Sequence, residues 1–216
     1  YTDAYLEDES ADEKFGLSVA VGSMDSDSYD DILVGAPENS EYGSSKRGRA
    51  YVYQANTDGS GITDSAAPDR DLAGPDNADG AEFGYSVAIG DFEGDGVGDA
   101  IVGARYNASG GTKRGSVMIF DDPISTNNVT DYFIDGTQND EYLGWSVTAR
   151  KFSSDLEMII AAGAKLWDDS GETDAGRVMV ILIPELLDAV LVVPFLLAIP
   201  IALKRRKRKS LQFGRF

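Results

Sequence analysis

Phe83-Gly84-Tyr85-Ser86-Val87-Ala88-Ile89-Gly90, with Val102-Gly103-Ala104-Arg105 following twelve positions after Gly90, is the stretch from which the fold is read. It occurs three times. Phe15-Gly16-Leu17-Ser18-Val19-Ala20-Val21-Gly22 leads to Val34-Gly35-Ala36-Pro37, and Leu143-Gly144-Trp145-Ser146-Val147-Thr148-Ala149-Arg150 leads to Ala162-Gly163-Ala164-Lys165. From Gly16 to Gly84 is 68 positions and from Gly84 to Gly144 is 60. A fixed motif inside a loosely fixed period is the mark of stacked or radial repeat architectures.

Working outward, each copy predicts the same run of short strands. Leu17 to Gly22 and Tyr85 to Gly90 are β-branched and small, and Asp/Gly/Ser-rich turns follow them. Ile32-Leu33-Val34 and Ala100-Ile101-Val102 suit buried strands. A third strand follows a glycine in every copy: Gly48 to Tyr53, Gly115 to Phe120 and Gly176 to Ile181. Weaker fourth strands are expected around Arg70 to Gly74 and Asp131 to Gly136, and no sustained helical period appears before Pro184. Four short strands per unit predict an all-β chain, a partial β-propeller of about three four-stranded blades. The expected repeats span residues 4–68, 72–135 and 136–183. Tyr1 to Asp8 would then fill the fourth-strand slot of a preceding blade. The chain lacks an initiating Met and a signal peptide, so further repeats are expected upstream, or a partner chain covering the open edge.

Composition closes off several chemistries. The chain has no cysteine and no histidine, which removes disulfides, thiol catalysis, His-based triads and His metal sites. Residues 1–183 hold 35 acids and 12 bases, a net charge of −23. Such a surface repels nucleic acid and attracts cations.

One cluster of acids has metal-ligand spacing. In Asp91-Phe92-Glu93-Gly94-Asp95-Gly96-Val97-Gly98-Asp99, acids at the first, third, fifth and ninth positions can converge on one point. Gly96 permits a positive φ and the Val97 carbonyl can add an oxygen. An all-oxygen set favours Ca²⁺, with Mg²⁺ or Mn²⁺ as the lesser alternatives. Position twelve is Val102, not Glu, so the loop is no EF-hand. The first copy offers a weaker version in Ser23, Asp25, Asp27, Tyr29 and Asp31, with Ser28 in place of the glycine. In the third copy only Asp155 survives, and Lys151 stands at the first position, so that loop is expected to be empty. An acidic hairpin turn without metal is the plainer alternative.

Phe-Gly, a calcium-type loop and Gly-Ala-Pro in this order resemble the FG-GAP repeats of the integrin alpha-chain β-propeller and its prokaryotic relatives. The resemblance runs from about Ala4 to Ile183 and is degenerate in the third copy. It implies structural Ca²⁺ loops on one face of a propeller, ligand recognition on the opposite face and no catalysis on the blades. No catalytic residue and no enzyme activity are therefore expected. Asn107-Ala108-Ser109 and Asn128-Val129-Thr130 fit the N-glycosylation pattern, making Asn107 and Asn128 candidates in an exported protein.

Leu186 to Leu203 is apolar except for Asp188, Pro194 and Pro200. As a helix it would be about 27 Å long, close to a bilayer core. Lys204 to Lys209 are six consecutive bases, which stay on the cytoplasmic side. Residues 184–203 are thus expected to form one transmembrane helix and 204–216 a cytoplasmic tail, with the propeller outside. A buried strand pair or a nuclear-localisation patch explains less of this pattern. Pro184-Glu185 before the span resembles the C-terminal sorting signals that archaeosortases and exosortases process.

Two functions follow as expectations. One is a calcium-stabilised surface propeller for adhesion or recognition of a protein or glycan ligand. The other is a carbohydrate-binding or scaffold part of a surface hydrolase or lyase.

Overall fold

Each Gly-Ala signature lies in the second strand of an antiparallel meander, and the meanders stack face to face. The computed structural model describes residues 5–7, 12–40, 46–58, 60–63, 67–74, 80–92, 94–109, 111–124, 130–151, 157–169 and 173–184. The first sheet contains β1 (Ser18–Gly22), β2 (Asp31–Ala36), β3 (Arg49–Tyr53) and β4 (Arg70–Ala73), in that order. The second repeats it with β5 (Phe83–Gly90), β6 (Asp99–Ala104), β7 (Ser116–Phe120) and β8 (Tyr132–Asp135). The third holds β9 (Leu143–Lys151), β10 (Glu157–Ala164) and β11 (Arg177–Pro184).

Alternation along each strand decides what packs where. Leu33, Ala50, Val52 and Leu72 of the first sheet meet Ala100, Val102, Met118 and Phe120 of the second in one core, with Phe83 between them at 0 % exposure. Its ring meets that of Phe120 edge-on at 5.7 Å. Ile101, Val117 and Ile119 point the other way and form a second core with Met158, Ile160 and Ala162 of the third sheet. There Leu143 takes the place of Phe83, also at 0 % exposure. Phe83 and Leu143 are thus plugs between neighbouring blades.

The glycine after the plug bulges the strand. The pairing steps from Phe83↔Ala104 to Ser86↔Gly103, leaving Gly84 and Tyr85 as extra residues. In the third sheet it steps from Leu143↔Ala164 to Ser146↔Gly163. Gly84 at φ 86° and Gly144 at φ 85° occupy the left-handed region that a glycine adopts without strain. The residue before each plug is left-handed as well: Lys14, Glu82 and Tyr142 at φ 55°, 54° and 56°.

Two expectations are corrected here. The third sheet has three strands among the described residues, not four. In the first two units the fourth strand begins 17 and 12 positions after the third ends, from Tyr53 to Arg70 and from Phe120 to Tyr132; in the last copy that position falls after Pro184, outside the described residues. β11 also pairs Pro184 with Glu157, so the sheet reaches the first residue assigned to the anchor. No helix among the described residues is long and apolar enough to cross a membrane, and the expected anchor and tail at 185–216 lie outside those residues. At the other end, residues 5–7 form no strand within this chain. Leu6 and Phe15 instead pack on the outer side of the first sheet, against the cluster of Val34, Ala36, Tyr51 and Tyr53.

Candidate functional site: acidic loops and an aromatic face

The acidic loop of the second unit leaves β5 at Gly90 and enters β6 at Asp99, and its backbone is tightly turned. Gly94 and Gly96 have φ of 82° and 94°, as expected for Gly96. The Asp91 carboxylate accepts from the N–H groups of Gly94, Asp95 and Gly96 at 2.6, 3.0 and 3.0 Å. Asp95 accepts from Val97 N–H at 2.8 Å. These bonds fix both carboxylates on the exposed side of the turn. Glu93 lies outside the described residues, and no three carboxylates converge among those described.

Asp99 does something else. It is 1 % exposed, and its two oxygens accept from Phe92 N–H and from Asp122 N–H, the latter at 3.2 Å. Asp31 repeats this in the first unit, accepting from Met24 N–H at 2.8 Å and Ala55 N–H at 3.0 Å. The last acid of each loop therefore braces the loop to the end of the third strand of its sheet. Burial raises the Asp31 carboxyl above its ordinary value, with the Met24 and Ala55 N–H groups opposing and the Asp25 and Asp27 charges adding. In the third unit Ile159 occupies this place, and residues 152–156 of that loop, Asp155 included, lie outside the described residues.

The first loop spends its donors and acceptors internally. Asp25 accepts from Asp27 N–H at 2.8 Å and from the Gln54 amide at 2.6 Å; Asp27 accepts from Tyr29 N–H at 2.7 Å. The Ser23 hydroxyl donates to the Asp25 carbonyl at 3.0 Å. A Cβ on Gly98 would stand 2.1 Å from the Ser23 carbonyl, so the two acidic loops touch. The donor set fits a hard cation best in the second loop. The Asp91 and Asp95 carboxylates keep lone pairs beyond those used by N–H groups, and Val97 lies beside them. Gln54 already competes for Asp25 in the first.

Asn107 is corrected as a glycan acceptor. It is 4 % exposed, and its amide donates to the Ser116 hydroxyl at 2.9 Å. Its carbonyl accepts from Gly115 N–H at 3.0 Å, closing the β6–β7 loop. Asn39 does the same for Gly48 at 3.0 Å without any glycosylation pattern around it. The repeat position, not the tripeptide, was the informative signal. Asn128 and Glu185 lie outside the described residues, and Pro184 ends β11.

At the end of the strands opposite the acidic loops the sequence reading missed a second cluster. The Arg105 guanidinium lies 3.6 Å from the ring centre of Tyr85, 4.4 Å from Tyr106 and 4.5 Å from Trp145. Glu82 pairs with it at 2.6 Å. Lys165 stands 4.1 Å over Trp145 and Lys113 5.1 Å over Tyr106. Tyr142 bridges Tyr106 and Trp145 at 5.3 and 6.3 Å. Cations over aromatic faces hold this cluster across two blades. Its signal was in the repeat: Leu17, Tyr85 and Trp145 share the position after the bulged glycine.

Comparison with known proteins agrees with the repeat geometry. The FG-GAP repeat matches residues 15–53 and 83–120. Phosphatidylinositol-glycan-specific phospholipase D of Dictyostelium discoideum is 32 % identical over 145 residues, covering 62 % of this chain and 15 % of that protein. The Bos taurus protein of that name is 30 % identical over 164 residues, covering 73 % of this chain and 19 % of its own length. Integrin alpha-5 of Xenopus laevis is 35 % identical over 111 residues, covering 49 % of this chain and 10 % of its own. The chain thus spans less than a fifth of each of these relatives. It carries FG-GAP repeats and an integrin-alpha-like blade arrangement. The expectation of no enzyme activity is corrected by these matches, because two of the relatives are phospholipases by name.

Proposed function

We propose that this chain is the recognition portion of an extracellular FG-GAP propeller, stabilised by Ca²⁺ at the second acidic loop, and that it binds an anionic glycan. The observation that carries the reading is the aromatic and basic cluster of Arg105, Lys113, Lys165, Tyr85 and Trp145. In a chain of net charge −18, three cations gathered on aromatic rings make a local exception. Sugar rings stack on aromatic faces, and phosphate or sulfate groups pair with Arg and Lys. The phosphatidylinositol-glycan in the names of two relatives supports the same ligand class.

Asp91, Asp95 and the Val97 carbonyl would hold the cation, with Glu93 completing the set. The ion would neutralise carboxylates that otherwise repel, stiffening the end of the blade opposite the ligand. The apolar run Leu186 to Leu203 and the six bases after it support a membrane tether with the propeller outside. Pro184-Glu185 would then mark a processing site.

Ligand binding is tested by titrating the protein with a phosphorylated glycan and a neutral one while following tryptophan fluorescence. Only Trp145 and Trp167 emit. The phosphorylated glycan should change the signal, and Trp145→Ala should abolish binding. Equal binding of both glycans, or none of either, sinks the proposal. A second reading, that the propeller belongs to a larger phospholipase-type enzyme, is favoured by the match over 145 residues to the Dictyostelium discoideum protein. Turnover of a phosphatidylinositol-glycan by the native protein selects it.

A further inference from the structure

Two carboxylates that neutralise bases in one unit are tyrosines in the next, and the bases beside those tyrosines are left without an acid. The positions correspond by backbone as well as by sequence. Lys46 and Lys113 each stand two residues before the glycine that leads into the third strand, both left-handed at φ 50° and 43°. Lys14, Glu82 and Tyr142, at φ 55°, 54° and 56°, stand directly before Phe15, Phe83 and Leu143.

In the first unit Glu38 pairs with Lys14 and, at 2.9 Å, with Lys46. Its counterpart in the second unit is Tyr106, and Lys113 lies 5.1 Å over that ring instead. Glu82 in turn pairs with Arg105, the residue after the second Gly-Ala, at 2.6 Å. In the third unit Tyr142 replaces Glu82 and Lys165 replaces Arg105, and Lys165 lies 4.1 Å over Trp145. Neither Lys113 nor Lys165 makes an ion pair among the described residues.

The outcome is a strip across the joint between the second and third units. Tyr142 meets Tyr106 at 5.3 Å and Trp145 at 6.3 Å between ring centres, with Lys113 at one end and Lys165 at the other. The three rings are half-buried and both lysines are exposed. Arg105 forms the floor: its guanidinium lies on Tyr85, its charge is taken by Glu82, and the two side chains are only 13 % and 8 % exposed. An ammonium over a ring, by contrast, keeps its N–H donors for an anion arriving from solvent.

Resting on the reading of this face as an anionic-glycan site, we propose that its ligand carries two anionic groups, one at each end of a short run of sugars. Lys113 takes one group and Lys165 the other, and the sugars lie on Tyr106, Tyr142 and Trp145. Each ammonium gives a charge-assisted hydrogen bond to phosphate or sulfate. Two such groups on one glycan bind together more tightly than either alone, provided that the spacing suits. The spacing is set by the fold, because the lysines come from different blades locked through Ser86 Oγ and the Gly144 carbonyl at 2.8 Å.

Calorimetric titration of the full chain with one trisaccharide in three forms tests this: phosphorylated on both terminal sugars, on one, and on neither. The doubly phosphorylated form should bind about tenfold more tightly than the singly phosphorylated one, the scale of one hydrogen bond to a charged group. Lys113→Gln and Lys165→Gln should each lower its affinity to that of the singly phosphorylated form. Both side chains are exposed, so each variant should melt as the parent does. Inorganic phosphate at the same concentration should not compete, since it lacks the sugars that span the rings. Equal binding of the two phosphorylated forms, lysine variants that bind like the parent, or displacement by inorganic phosphate would overturn the two-anion site and leave the glycan reading in place. No binding of any form would remove both.

Discussion

The hydroxyl of Ser18 donates to the carbonyl of Gly84, 66 residues along the chain, at 2.9 Å, and Ser86 makes the same bond to Gly144 at 2.8 Å. The serine of one repeat thus reads the glycine of the next. Gly35 and Gly103 complete the lock, because a Cβ at either would stand 2.0 or 2.3 Å from that carbonyl. The two signatures recur together because each joint takes one from each of two blades.

Gly103→Ala should therefore separate the second blade from the third. The added methyl meets the Gly144 carbonyl, which is backbone and cannot step aside, at a cost of about 1–3 kcal/mol. Gly163→Ala should cost clearly less. Its nearest atom is the Ser146 hydroxyl at 2.6 Å, on an exposed side chain that can rotate. Urea unfolding of the two variants checks the order; equal losses would mean that the joint is not the reason for the glycine.

The two acids of the second loop should separate by calcium dependence. Asp95→Ala should remove the rise in melting temperature that millimolar Ca²⁺ gives the parent, through loss of linkage to the folded loop, and change little in chelator. Asp99→Ala should destabilise in both conditions by about 1–3 kcal/mol, because buried N–H groups lose their acceptor. Thermal melts with Ca²⁺ and with chelator read both; a parent indifferent to Ca²⁺ removes the metal from the account.

Glu38 gives the acid limb a defined sign. Hydrogen bonds from Lys14 and then Lys46, the latter at 2.9 Å, hold its carboxyl below its ordinary 4.5. A lowered value means stability present above about pH 4.5 and lost as pH falls through the folded value. Both lysines are exposed, so the contribution is that of a surface pair, about 1 kcal/mol or less. Glu38→Gln should lower stability at pH 7 by that amount and match the parent at pH 3. Melting at the two pH values checks it.

The sequence by itself determined the strands and the loop at Asp91 to Asp99. These depend on local alternation, on Gly and Asp in turns, and on a motif spaced the same way three times. It also placed Phe83 between blades, since a large apolar residue beside a glycine at each repeat start has to be buried. It misjudged Asn107, because a tripeptide pattern carries no information on burial, and here the amide closes a loop under Ser116. It gave Asp99 a ligand's role, where the fold uses both oxygens as a brace. The gathering of Arg105, Tyr85 and Trp145 could only be decided in three dimensions. Arg105 follows the end of β6, while Tyr85 and Trp145 lie near the starts of β5 and β9, 60 positions apart. They meet because each bulged glycine turns the next side chain out of the ladder toward the same end of neighbouring blades. Local backbone preference sets the strand; which side chains touch depends on how the sheets are locked together.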